Sequence, residues 1–223
     1  MKESIITFIL FFVVFQFYAQ YKDSIYHRDV IWRETIRSFE KEDQRKPPRS
    51  SPILFIGSSS ITNWKNLHIY FPDKNVLNRG FGGSELRDVI FYFNRIVTPY
   101  RPSQIVLYEG DNDITFGQTA EQFLDDIKTF VRLVEIHLPG TPIIILSIKK
   151  SKARSHFSIE FDKANALLYQ FAQTKRIVQF VDVAQILFDE NGNIKDDCFE
   201  SDNLHINTRG YWLWTDILKN YLK

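Results

Sequence analysis

Five short apolar runs do most to limit what this chain can fold into: ILFIG at 53–57, NVLN at 75–78, QIVLYEG at 104–110, PIIILSI at 142–148 and IVQFVDV at 177–183. Their apolar residues are nearly continuous rather than alternating. A strand open to water on one face alternates, whereas a strand covered on both faces does not. The runs therefore point to a parallel sheet with helices on each side. Helical patterns fill the gaps. Leu86, Val89, Ile90, Phe93 and Val97 recur at helical spacing over 84–97, up to Pro99. Thr119 and Gln122 form a capping-box pair ahead of Phe123, Ile127, Phe130 and Val134, and Pro139-Gly140 closes that helix. Two more helices are predicted over 159–174 and 208–221, and a charged amphipathic one over 24–44, before Pro47-Pro48. The alternation predicts a three-layer α/β domain on a parallel sheet of about five strands.

The front of the chain has a different character. Met1 and Lys2 precede an apolar run at 5–17, broken only by Thr7 and Gln16, with the small residue Ala19 behind it. A helix of that length covers roughly 20 Å, short of the roughly 30 Å hydrocarbon core. The pattern predicts a secretory signal peptide over 1–19, a helical lead-in over 20–49 and one domain over 50–223, working outside the cytoplasm as a periplasmic or secreted protein. The 28 basic and 27 acidic residues leave a net charge of +1, so no excess directs the chain to nucleic acid or anionic lipid. One cysteine, Cys198, excludes an intrachain disulfide and any multi-cysteine metal site, and reads as a small apolar core residue.

Ligands of such sheets bind beyond the carboxyl ends of the strands. There the sequence collects Gly57-Ser58-Ser59-Ser60, then Asn78-Arg79-Gly80-Phe81-Gly82-Gly83, then Gly110-Asp111-Asn112-Asp113, and, before the last helix, Asp202-Asn203-Leu204-His205. Those residue types suit acyl transfer. A serine hydroxyl needs a base, usually a histidine oriented by a carboxylate. Of the five histidines, only His205 has a carboxylate three residues earlier in a loop-like setting, Asp202. The tetrahedral intermediate needs donors aimed at its oxyanion, which the backbone N–H of Gly83 and the amide of Asn112 can supply. Each piece alone is common in turns. Their joint order after successive strands is not.

In that order the chain resembles the SGNH/GDSL hydrolase family of esterases and lipases, over about residues 50–222. ILFIGSSSITNW resembles the first block. Ser59 falls on the nucleophile position, because Gly57 and Trp64 then keep the ungapped spacing of the family's G-D-S-I-T-x-x-W form. NRGFGGS resembles the second block, with Gly83 as the oxyanion glycine. GDND resembles the third, with Asn112 as the oxyanion asparagine, and DNLH gives Asp202 and His205. The resemblance implies a flavodoxin-like α/β/α sandwich and a Ser59–His205–Asp202 triad. It also implies an oxyanion hole from the Ser59 and Gly83 N–H groups with Asn112. It calls for no metal and no cofactor. Ser58 stands where the family usually has Asp.

Lys149 and Arg154, after the fourth run, are candidates for a substrate-facing rim, against a reading as solvated charges. Glu109 fits either a buried carboxylate or a surface group, and Trp64 fits packing better than a sugar platform. Asp189, Asn191, Asn193, Asp197 and Glu200 have calcium-loop spacing, but Ile194 takes the required glycine position, so Asn191-Gly192 reads as a turn. The expected substrate is a small-molecule or glycan ester with a short acyl group such as acetyl. The alternatives are a lysophospholipid or platelet-activating-factor-type lipid ester, transfer to an acceptor alcohol, or a non-catalytic carbohydrate-binding protein on the same fold.

Overall fold

The computed structural model describes residues 30–223. The apolar run at 5–17, and with it the expected export signal, lies outside the described residues. Among the described residues the chain divides after Gln44 into two units, the second being Arg45–Lys223. Helix α1 covers 30–45, with Arg37 and Glu34 paired at 2.8 Å one turn apart on its surface.

The second unit alternates as the apolar runs require. Its elements are β1 (Ile53–Gly57), α2 (Ser59–Thr62), α3 (Leu67–Tyr70), β2 (Val76–Asn78), α4 (Leu86–Phe91), α5 (Phe93–Ile96), β3 (Gln104–Tyr108), α6 (Asp111–Thr115), α7 (Ala120–His137), β4 (Ile143–Leu146), α8 (Ser158–Gln173), β5 (Val178–Val181) and α9 (Thr208–Leu218). All strand pairs are parallel, in the order β2-β1-β3-β4-β5. The chain steps from β1 outward to β2 and then returns past β1 to β3. That reversal makes the crevice between the carboxyl ends of β1 and β3 the natural place for a site.

Strand side chains alternate between two buried faces. Phe55, Val106, Tyr108, Ile144, Leu146 and Val181 face one cluster, completed by Trp64, Phe71, Tyr211, Trp214 and Leu218. Trp64 is fully buried there, stacked on Tyr211 with ring centroids 5.1 Å apart, so it packs and offers no platform. Cys198 is buried in the same cluster. Leu54, Ile56, Ile105, Leu107, Ile143 and Ile145 point the other way and are equally buried. Helices α7 and α8 pack together, and α7 buries Phe123, Ile127, Phe130 and Val134, the face its sequence period predicts. Its capping box forms: the Gln122 N–H donates to Thr119 Oγ1 at 3.3 Å and the Thr119 N–H to Gln122 Oε1 at 2.9 Å.

Two local readings change. The helix expected over 84–97 is broken at Tyr92 (φ −93°, ψ 8°) into α4 and α5, and the last helix ends at Leu218. Asp189 spends its Oδ1 on the N–H groups of Asn191 and Asn193, at 2.9 and 2.8 Å, which makes the 189–193 segment a self-satisfied turn. Among the described residues no group of three or more His, Cys, Asp or Glu is placed to hold a metal ion.

Candidate active site

β1 ends at Gly57, where the chain crosses β3 so closely that a Cβ would lie 2.0 Å from the Tyr108 carbonyl oxygen. Gly57 also has φ +138°, so only glycine fits the turn. The turn separates three adjacent serines by direction. Ser58 is fully buried; its Oγ accepts from Asn112 Nδ2 at 2.7 Å and from the Gly83 N–H at 3.2 Å. Ser60 is also buried, and its carbonyl accepts from the Tyr211 hydroxyl at 3.0 Å. Ser59, the first residue of α2, is the half-buried one of the three. Burial thus leaves one serine of the triplet open to an incoming ester.

The turn after β3 is a buried charge network. Gly110 has φ +115°, and a Cβ there would meet Ile148 Cδ1 at 2.5 Å. Asp113 accepts from the Gly110 and Leu86 N–H groups, each at 2.8 Å, which fixes the start of α6 and of α4. Asn112 commits its whole amide. Nδ2 donates to Ser58 Oγ and, at 2.8 Å, to the Ser84 carbonyl, while Oδ1 accepts from Arg154 Nη2 at 2.7 Å. The guanidinium therefore dictates which end of the amide faces Ser58. Arg154 Nη1 also lies 3.4 Å from Asp111 Oδ2, which Lys149 Nζ approaches at 3.0 Å and the Tyr108 hydroxyl at 3.3 Å.

That network corrects the rim reading of Lys149. Its side chain is 1% exposed and sealed against Asp111, so it neither lines a cleft edge nor sits in solvent. Arg154 is 14% exposed and faces Asn112 and Asp111. Burial alone would raise the Asp111 pKa, but the charges of Lys149 and then Arg154 outweigh it and hold the carboxyl below its ordinary value. Glu109 turns out to be the buried alternative. Burial, then the nearby Asp113 charge, push it well above the usual carboxylate range, against the opposing hydrogen bond from the Ser84 hydroxyl at 2.7 Å. Burial likewise raises Asp113 to about 7.

The 200–207 loop, ahead of α9, presents the carboxylate and imidazole. Asp202 Oδ2 lies 2.6 Å from His205 Nδ1, and its Oδ1 accepts from the Leu204 and His205 N–H groups at 2.9 Å each. The hydrogen bond from the His205 ring is the main reason the Asp202 pKa falls to about 2. With Nδ1–H donating to that carboxylate, Nε2 of the neutral ring is left as the acceptor. The loop is tied down by the Glu200 N–H to the His205 carbonyl at 2.7 Å and by the Ala153 N–H to the Asn203 carbonyl at 3.2 Å. Asn207 caps α9 by accepting from the Gly210 N–H, and Tyr211 of α9 reaches Ser60, joining the histidine loop to the serine turn. In the resting chain Ser59 Oγ and His205 Nε2 make no hydrogen bond to each other.

Sequence spacing thus marks Ser59, Gly83, Asn112, Asp202 and His205; Ser59 and Asn112 lie in the first turns of α2 and α6, just after β1 and β3, and Gly83, Asp202 and His205 lie in loops. It does not reveal that Ser58 holds the Gly83 and Asn112 donors, or that Arg154 sets the Asn112 amide. The available signal was the charge-dense run around Asp111 set against Lys149 and Arg154 after the next strand.

A family model described as GDSL-like lipase/acylhydrolase matches residues 57–213. Among curated proteins, the chain is similar to platelet-activating factor acetylhydrolase IB subunit alpha1 of Bos taurus, 28% identical over 121 residues, which are 52% of this chain and 50% of that protein. The chain therefore spans about half the length of that relative. Among solved structures it is similar to a GDSL-like lipase of Bacteroides thetaiotaomicron (TM-score 0.70, 17% identity, 83% of this chain and 96% of that one). It is also similar to a catalytic mutant of an acetylxylan esterase from Geobacillus stearothermophilus (TM-score 0.61, 15% identity, 76% of this chain and 94% of that one). At these identities the structural likeness is one of fold.

Proposed function

This chain belongs to the GDSL-like lipase/acylhydrolase family, and from that premise we propose that it is an exported serine esterase that removes short acyl groups, acetyl foremost, from carbohydrates. The observation that carries the chemistry is the pairing of Asp202 with His205, just before a helix whose Tyr211 bonds a serine triplet in which Ser59 alone is accessible. In the proposed reaction His205 Nε2 takes the Ser59 proton as Oγ attacks the ester carbonyl. Asp202 holds the ring tautomer and stabilises the imidazolium. The Ser59 and Gly83 N–H groups and the Asn112 amide receive the oxyanion. Collapse breaks the carbon–oxygen bond to the alcohol, which leaves with the proton from His205. Water, giving its proton to His205, then hydrolyses the acyl-enzyme and restores the serine.

Ser58 adds a condition. Its hydroxyl accepts from both Gly83 and Asn112 in the resting chain, so the oxyanion must take those donors over from it. Catalytic hydrogen bonds commonly tighten only in the substrate complex. The likeness to the acetylxylan esterase fold supports a glycan ester, and that to the platelet-activating factor acetylhydrolase subunit supports the second reading, a lipid acetyl ester. The apolar run at 5–17 behind Lys2 supports export with removal near Ala19. The test is hydrolysis of p-nitrophenyl acetate: Ser59→Ala is expected to reduce turnover to background, and wild-type turnover in that variant rejects the assignment.

A further inference from the structure

A groove of about 530 Å³ opens beside His205, between the α2–α3 segment and the start of α9. Its volume lies in the range of small-molecule sites, roughly 300–1,000 Å³. His205 forms part of its wall, and Asn63, whose N–H bonds the Ser59 carbonyl at 2.8 Å, stands at the end of the helix that Ser59 begins. The groove therefore adjoins the group that must protonate the departing alcohol.

Its lining is amphipathic in a specific way. Trp212 is 44% exposed, on the outward side of a helix whose Tyr211, Trp214 and Leu218 face the core. Tyr70 packs against it, with ring centroids 4.6 Å apart and planes at 47°, which fixes the indole in place. Next to it Tyr211 stacks on the buried Trp64, so the aromatic wall is rooted in the core. Lys65, Asn63 and Asn66 also line the groove, and among the described residues their side-chain donors are not engaged by other side chains. Asn207, by contrast, is committed to the Asp197 and Phe199 carbonyls and to the Gly210 N–H.

We propose that this groove is a pyranose-binding subsite that holds the alcohol portion of the ester, with a sugar ring laid on Trp212 and its hydroxyls met by Lys65 and Asn63. This rests on the esterase reading and names the substrate class of that same site. A rigid indole face takes the apolar C–H face of a pyranose, and nearby amide and ammonium donors take its hydroxyls. Tyr211 and Glu200 also line the groove, but Tyr70 and Trp212 pack on each other rather than around one point, and the Lys65 ammonium on the same wall opposes a quaternary ammonium headgroup. A long acyl chain needs a continuous apolar trough, whereas this groove interleaves its rings and the isoleucines Ile69 and Ile206 with lysine, asparagine and glutamate.

The experiment titrates unacetylated xylotriose into the wild-type protein and follows the Trp212 indole N–H resonance, with Trp212→Ala and Lys65→Ala measured by calorimetry. The expected result is a saturable shift of Trp212 and a dissociation constant raised at least about tenfold by Trp212→Ala and less by Lys65→Ala. An unmoved Trp212 signal, or equal binding by Trp212→Ala, overturns the subsite. A shift with lysophosphatidylcholine micelles but none with xylotriose overturns it in favour of a lipid. Wild-type hydrolysis of p-nitrophenyl acetate is read separately. Failure there rejects the esterase reading and leaves the sugar-binding result standing, whereas turnover without sugar binding rejects the subsite alone.

Discussion

The two halves of the candidate site are built differently. The half proposed to receive the oxyanion is interior: Ser58, Asp111, Asn112, Asp113 and Lys149 are all buried, and every one is engaged. The half proposed to supply the base is a surface loop, where the Asp202 and His205 side chains are 47% and 29% exposed and the hydrogen bonds holding them are mostly within the loop. A donor array gains from a dry, preorganised setting, because its work is to meet charge without rearranging. A base that exchanges protons with an alcohol and with water gains from access. The difference means that damage to the interior half reaches both fold and rate, and damage to the loop reaches rate alone.

The widest split is expected from His205→Ala. Turnover of p-nitrophenyl acetate should fall by on the order of 10⁴–10⁶. The thermal midpoint should stay within a few degrees, because an exposed pair contributes little to stability. Scanning calorimetry beside the assay checks both, and a large midpoint drop breaks the comparison. Lys149→Met should lower the midpoint as well as the rate. It leaves Asp111 buried with Arg154 alone, and removing one partner of a buried pair costs about 3–5 kcal/mol. For a domain of this size that is a midpoint drop of about 10 °C.

Arg154→Met comes next. It frees the Asn112 amide to turn, so kcat should fall about 10- to 100-fold with little change in KM for a small ester, and Arg154→Lys, which keeps a donor, should recover part of it. The smallest effect is a slope. Glu109 and Asp113 both have folded-state pKa values raised above the unfolded carboxylate value, Asp113 to about 7. Between about pH 4 and 7 the folded chain then binds more protons than the unfolded one, and stability falls as pH rises. Glu109→Gln keeps the acceptor for Ser84 and removes one of those protons, so chemical denaturation at pH 5 and pH 8 should differ less than in the wild type.

The same division explains what could be read from the sequence. The sheet was legible because continuous apolar runs leave few alternatives, and β1 occupies the run at 53–57 unchanged. The pairing of Asp202 with His205 was legible because they are three residues apart, and local spacing places both in one loop. The interior half depends on contacts made across long stretches of chain. Arg154 meets Asn112 and Ser58 meets Gly83 because β2, β1, β3 and β4 bring their ends together, and no local pattern records it. Lys149 misled for the same reason: its buried partner, Asp111, lies on another strand's turn. The break at Tyr92 has no helix-breaking residue to announce it.

The most direct measurement of the central claim is covalent labelling with a fluorophosphonate probe, followed by peptide mapping across Ser58, Ser59 and Ser60. Phosphonylation of Ser59 alone, abolished by His205→Ala, is the predicted result. A label on Ser58 or Ser60, or labelling that persists without His205, would contradict it.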